Sequence, residues 1–314
     1  MAMELVQPGM RFVQYALLLG LFGGFAFHAM TAHAFARTKD RRNWVIFAAM
    51  AAPVAVAFSL ATDIAAMMGQ SPLDLDGAAV ASLVGATDFG RAGIVRVLTV
   101  VLAWVPALLF RPSRASSSIA ASLYGAALGT LAWSGHAAVG EGFAGWLHRL
   151  NDAAHLLAAG LWLGAIGWFA LLVLRAHAGS DSERTMALAA ALKGFAPVGA
   201  ALVLVVALTG VVNSQMIFGL GQALPVLSTR YGQLLVVKLG LVALMLLCAR
   251  SNRSTARSIP EAWNAGPAPD QQALQTMRRT LLVELLLAVA VIAVVAWLGL
   301  ASPMPGDSSS GKTV

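Results

Sequence analysis

The sequence predicts an all-α fold, a polytopic membrane helix bundle of about eight transmembrane helices. Three observations predict it. Of the 314 residues, 59% are hydrophobic and 11% charged, against about 25% charged in a soluble domain. The apolar stretches far exceed the roughly ten-residue segments of an outer-membrane barrel. Their flanks are alternately rich and poor in Arg and Lys, as expected of a chain that crosses a bilayer repeatedly.

Eight stretches qualify, at about 11–36, 43–68, 90–110, 118–138, 148–174, 193–218, 230–250 and 279–300. Each can cross a hydrocarbon core of about 30 Å at 1.5 Å per residue. The first follows Met-Ala-Met-Glu. That start lacks a positive n-region, and the span is too long for a cleaved signal. The second ends near Asp63, Met67 and Met68. An acidic connection follows at 69–89, whose Leu73, Val80, Leu83 and Val84 suit a short interfacial helix. The third span opens Thr87-Asp88-Phe89-Gly90, the fourth closes at His136 and the fifth opens at His148. The sixth ends near Asn213, Gln215 and Met216, and the seventh opens Thr229-Arg230-Tyr231-Gly232. A connection at 251–278, rich in Arg, Pro and Ala, leads to the eighth. Residues 1–301 therefore read as one transmembrane domain, and the Ser/Gly-rich 302–314 as a disordered tail.

Charge orients the bundle. The connections after spans one, three, five and seven hold 14 of the 21 basic residues, among them Arg37, Arg41, Arg111, Arg175, Arg250 and Arg279. The other side carries Glu4, Asp74, Asp76, Asp88 and Glu141. By the positive-inside rule both termini are extracytoplasmic. The net charge of +7 is then a topology signal, not a nucleic-acid footprint. The single cysteine, Cys248, excludes a disulfide framework and reads as a small buried apolar residue.

The halves 1–140 and 141–301 resemble one another. Thr87, Gly90 and Arg96 recur as Thr229, Gly232 and Lys238, each 142 residues on. Arg11 and Gln14 match Arg149 and Asp152 at an offset of 138, and Asp63 matches Asn213. Four helices separate the copies, which makes the pseudo-repeat parallel, 4+4, about an axis along the membrane normal.

Most intramembrane polarity falls on the outer side, where four ionisable residues stand out. His148, Asp152 and His155 are spaced by four and three residues and share one helix face, with His136 across a short loop. Imidazole suits copper, zinc, iron and nickel, while thioether sulfur favours Cu(I). Converging, the three histidines and Asp152 would bind a metal, with Met67 or Met216 joining for Cu(I). Asp152 is either a ligand or the partner that orients an imidazole. The plainer alternative is a set of capped or solvated helix ends. Arg96 and Lys238 are costly in lipid unless paired; the expected pairs are Arg96 with Asp63 and Lys238 with Asp152 or a carbonyl. The other reading is a cation gate. A smaller inner set comprises His28, His33 and Glu284, read as a His28–Glu284 hydrogen bond or a cytoplasmic release point.

At these residues the chain resembles the copper resistance protein D (CopD) family of bacterial inner-membrane proteins. The resemblance rests on Trp133-Ser134-Gly135-His136-Ala137 and on the run from His148 through Asp152 and His155 to Trp162-Leu163-Gly164. Thr209-Gly210 to Asn213, Thr229 to Lys238, and Phe89-Gly90 to Arg96 add to it. It implies eight helices, copper as the metal, and movement of copper from periplasm to cytoplasm. It also implies a small periplasmic copper-binding partner, CopC-like. Helix six departs from more histidine-rich members with Asn213-Ser214-Gln215-Met216, which leaves the ligand count open.

No Gly-x-x-x-x-Gly-Lys-Ser/Thr loop is present, so the reading is a permease and not an ATPase or other enzyme. The competing class is a b-type haem protein passing electrons, with His136 or His155 as axial ligands. A membrane metalloenzyme would need an open metal position and lacks His-Glu-x-x-His.

Overall fold

A computed structural model describes residues 2–31, 41–111, 113–134, 140–177, 182–258 and 271–303. Those residues are mostly helical, with no strand among them. The helices are α1 (Ala2–Thr31), α2 (Arg41–Met68), α3 (Gly77–Ala86), α4 (Asp88–Leu102), α5 (Arg114–Gly129), α6 (Gly142–His177), α7 (Ser182–Ile217), α8 (Ala223–Leu227), α9 (Arg230–Ser258) and α10 (Gln271–Leu298).

Seven of them, α4 being counted with its extension to Leu109, are long and apolar enough to cross a membrane. The eighth expected span is α5, shorter and continued by a 3₁₀ turn over Thr130–Trp133. The two pieces together reach about 32 Å at 1.5 and 2.0 Å per residue. Polar caps set several starts. Thr87 accepts from the Gly90 amide at the head of α4, and Ser113 and Ser116 form a reciprocal capping box at the head of α5.

Several boundaries differ from the sequence reading; α1 starts at Ala2 and α7 at Ser182, earlier than the expected 11 and 193. α6 starts at Gly142, where φ is +62°, so His148 lies well inside the helix instead of opening it. α9 continues to Ser258 because Asn252 and Ala256 are buried, with Asn252 bonded across to α10. Of the connection expected at 251–278, residues 251–258 belong to α9 and 271–278 to α10. The acidic connection does hold a helix, α3, none of whose residues is buried. The short α8 was not anticipated.

α1 and α6 form the centre. α1 packs on α2, α5, α6 and α10, and α6 on α1, α5, α7 and α10. The neighbours of the first half recur in the second: α1–α2 as α6–α7, α2–α4 as α7–α9, α4–α5 as α9–α10, and α3–α4 as α8–α9. Local chemistry recurs too. Thr229 accepts from the Gly232 amide as Thr87 does from Gly90. Gly90 abuts the Val84 backbone and Gly232 that of Val226, again 142 residues on.

Glycine lets the two central helices touch. A Cβ on Gly23 would stand 2.0 Å from the Gly160 carbonyl oxygen, and one on Gly164 would stand 2.4 Å from Gly23 Cα. Lipid offers helices little hydrophobic reason to associate, so such close backbone packing supplies the attraction. Gly23 and Gly164 are 141 residues apart. That register sets Gln7, Arg11 and Gln14 of α1 against His148, Asp152 and His155 of α6. The outward faces of α7 and α9 stay apolar and exposed, with Leu204, Leu208, Leu239 and Leu247 among them.

Candidate metal centre

The stripe on α6 is held by polar side chains of α7. Asn151 donates from Nδ2 to the Thr209 carbonyl at 2.9 Å and to Asn213 Oδ1 at 2.7 Å. Asn213 in turn donates to Asp152 Oδ1 at 2.9 Å. His155 Nδ1 lies 2.9 Å from Thr209 Oγ1, and that hydroxyl donates to the Val205 carbonyl at 2.6 Å. Its single proton being committed there, Thr209 accepts from His155, which fixes the proton on Nδ1. Nε2 is left as the basic nitrogen of the ring. Metal-binding imidazoles are commonly prepared this way, one nitrogen donating to an oriented oxygen and the other carrying the free lone pair. His148 is buried at 4% exposure two turns earlier. The rise between His148 and His155 is about 10 Å at 1.5 Å per residue.

The expected cage of His136, His148 and His155 is not closed among the described residues. No three His, Cys, Asp or Glu side chains gather there, and His136, like His33, lies outside the described residues. Met67 and Met216 end α2 and α7 with side chains on the exposed surface.

One cation at the histidine end, Arg96, takes different partners from the one expected, while Lys238 keeps its expected neighbour Asp152. Asp63 receives Arg11 at 3.0 Å and Gln7 at 2.9 Å, both from α1. Arg96, 1% exposed, instead donates to Thr130 Oγ1, the Thr130 carbonyl and Ser134 Oγ at 2.8–2.9 Å. The 3₁₀ end of α5 leaves carbonyls without helical donors, and a guanidinium with five N–H groups satisfies them. Lys238 lies within electrostatic reach of both Asp152 and His155.

The inner set is rearranged as well. His28 Nδ1 meets Ser117 Oγ at 2.7 Å, while Glu284 accepts from Asn252 Nδ2 at 3.0 Å. The expected His28–Glu284 bond is replaced because α5 and α9, not seen as neighbours in the sequence, bring the polar groups each residue needs.

A cavity of about 550 Å³ opens at the histidine end between the heads of α4 and α6. Asp88, Phe89, Trp133, Glu141, Trp146 and Arg149 line it, and the two tryptophans meet edge to face at 6.2 Å. Sequence reasoning missed the lining of this cavity and the roles of Asn151 and Thr209. Polar residues within apolar stretches were the available signal for the latter two.

Comparison with known proteins bears on this arrangement. Residues 1–146 match the family model for the copper resistance protein D-like N-terminal domain, and 189–298 that for copper resistance protein D. The chain is 36% identical to copper resistance protein D of Pseudomonas syringae pv. tomato over 223 residues, 70% of this chain and 71% of that one. The chain belongs to the copper resistance protein D family. It is also 34% identical over 126 residues to inner membrane protein YebZ of Escherichia coli (strain K12), 39% of this chain and 40% of that one. With seven helices able to span a bilayer, this is a multi-pass inner-membrane protein, tied by its family to copper resistance.

Proposed function

We propose that this CopD-family chain moves copper across the inner membrane from periplasm to cytoplasm, as a carrier and not an enzyme. Copper is captured at the histidine end by His148, His155 and Asp152, with His136, which precedes α6 in the chain. The observation that carries this reading is the 2.9 Å contact of His155 Nδ1 with a Thr209 hydroxyl whose own proton goes to Val205, which points to a proton on Nδ1 and leaves Nε2 to bind a metal. Asp152, held by Asn213, supplies negative charge beside the imidazoles, as an orienting partner or a ligand. Met67 and Met216 stand one turn outward of Asp63 and Asn213 and would offer thioether sulfur to incoming Cu(I). The cavity beside Arg149 is the way in, and a periplasmic CopC-like protein the donor.

Copper stoichiometry of the purified protein tests this. His155→Ala should lower copper content and abolish copper-dependent phenotype while the protein stays folded. Thr209→Val, which removes the oxygen that fixes the tautomer, should weaken binding less than His155→Ala. Copper binding that survives simultaneous loss of His136, His148 and His155 would sink the assignment. An optical spectrum with a Soret band and α/β bands would replace it with the haem reading.

A further inference from the structure

The interior face of α9 crosses the bundle as a ladder. Lys238, Met245 and Asn252 are spaced by seven residues, which returns each to nearly the same side of the helix. Lys238 belongs to the outer polar layer with Asp152 and His155. Met245, 1% exposed, sits in an apolar layer with Trp162, Ile166 and Ala288. Asn252 belongs to a second polar layer at the opposite end.

That second layer is buried and chemically unlike its surroundings. Glu284 is 2% exposed and Asn252 3%. Asn252 Nδ2 donates to Glu284 Oε2 at 3.0 Å, and Thr280 Oγ1 contacts Asn252 Oδ1. Cys248, one turn from Asn252 on α9, lies within electrostatic reach of Glu284. No Arg or Lys among the described residues forms an ion pair with Glu284. On α6 the stretch 156–174 has no ionisable residue, and from α1 His28 is turned to Ser117. A buried carboxylate whose hydrogen-bond partner is a neutral amide is expensive in lipid unless a proton or a metal cation meets it.

The cargo supplies such a cation. We infer that Met245, Cys248 and Glu284 form a second, inward copper site, selective for Cu(I), which receives the ion after it leaves the histidine end. This inference rests on the reading of the chain as a copper carrier. Met245 and Cys248 are three residues apart on α9, so their sulfurs lie on one side of the helix. Thioether and thiolate select Cu(I) over harder ions. On binding, the Cys248 thiol passes its proton to the Glu284 carboxylate, so one negative charge balances the monovalent ion, and Asn252 holds Glu284 in place. The ion arrives as Cu(I), and the chain performs no redox step.

The test is anaerobic titration of the full chain in lipid nanodiscs with Cu(I), against a chromophoric Cu(I) chelator, alongside copper X-ray absorption. Wild-type protein should hold two Cu(I) equivalents and show sulfur scattering. Cys248→Ser and Glu284→Gln should each hold one, and Cys248→Ser should lose the thiolate component of the sulfur scattering. The double variant His148→Ala/His155→Ala should lose the other equivalent and keep the sulfur signal. Both substitutions at the inner layer are close in size to the native residue, and thermal unfolding checks that each variant is folded. Unchanged copper count and scattering in Cys248→Ser and Glu284→Gln would overturn the inner site and leave the outer one standing. An unchanged count in the histidine variant alone would overturn the outer site and leave the inner one.

Discussion

Substituting Gly23 by Ala should weaken the junction of α1 and α6 sharply, whereas Gly24→Ala should not. The added Cβ at position 23 would stand 2.0 Å from the Gly160 carbonyl oxygen, 2.7 Å from Gly164 Cα and 2.9 Å from Gly164 N. All three are backbone atoms, so no rotamer change relieves the clash. The helices must part by about 1.5 Å to restore ordinary contact, which forfeits much of the dispersion attraction along the crossing. Overpacking of this kind costs about 1–3 kcal/mol. At Gly24 a Cβ meets nothing within 4 Å. Replacing a helical glycine there should instead gain about 0.5–1 kcal/mol from backbone entropy. The two variants, one residue apart, should differ by roughly 1.5–4 kcal/mol, or about ten- to several-hundred-fold in the unfolding equilibrium. Reversible unfolding in mixed micelles, followed by tryptophan fluorescence and helicity, measures that difference. Equal stability of Gly23→Ala and Gly24→Ala would refute the glycine crossing as the central contact.

Other outcomes follow from the same geometry. Asp63→Asn should cost about 3–5 kcal/mol because it strands Arg11, whose carboxylate partner is 3.0 Å away; adding Arg11→Gln should recover much of the loss in the same unfolding assay. A reporter fused after Ser254 should read cytoplasmic and one after Asp307 extracytoplasmic; an inward reading at Asp307 would invert the bundle. Halves 1–140 and 141–314, expressed together, should assemble and copurify through the α1–α6 crossing; failure to associate would count against the two-half organisation.

The sequence by itself determined the class of fold and the position of most helices. Apolar length and the alternation of basic flanks are local properties, written residue by residue, and a bilayer leaves a chain few alternatives to a helix. A local likeness was legible as well: Thr87 and Gly90 recur as Thr229 and Gly232, and the two pairs make the same capping bond. The face shared by His148, Asp152 and His155 was legible for the same reason: helical periodicity ties side chains within one element.

Partners between elements were not legible. Nothing in the spacing of Arg96 says that it caps the 3₁₀ end of α5 while Arg11 takes Asp63, because both cations lie at similar depth and either could reach the carboxylate. Nor does the sequence say that Glu284 turns to Asn252, since that polar residue lay in what read as a connection and not a helix. The proton on His155 Nδ1 depends on Thr209, 54 residues away, and on that hydroxyl's own bond to Val205. Periodicity sets which side chains share a face. Only the packing of one helix on another decides what that face meets, and with it which nitrogen keeps a free lone pair.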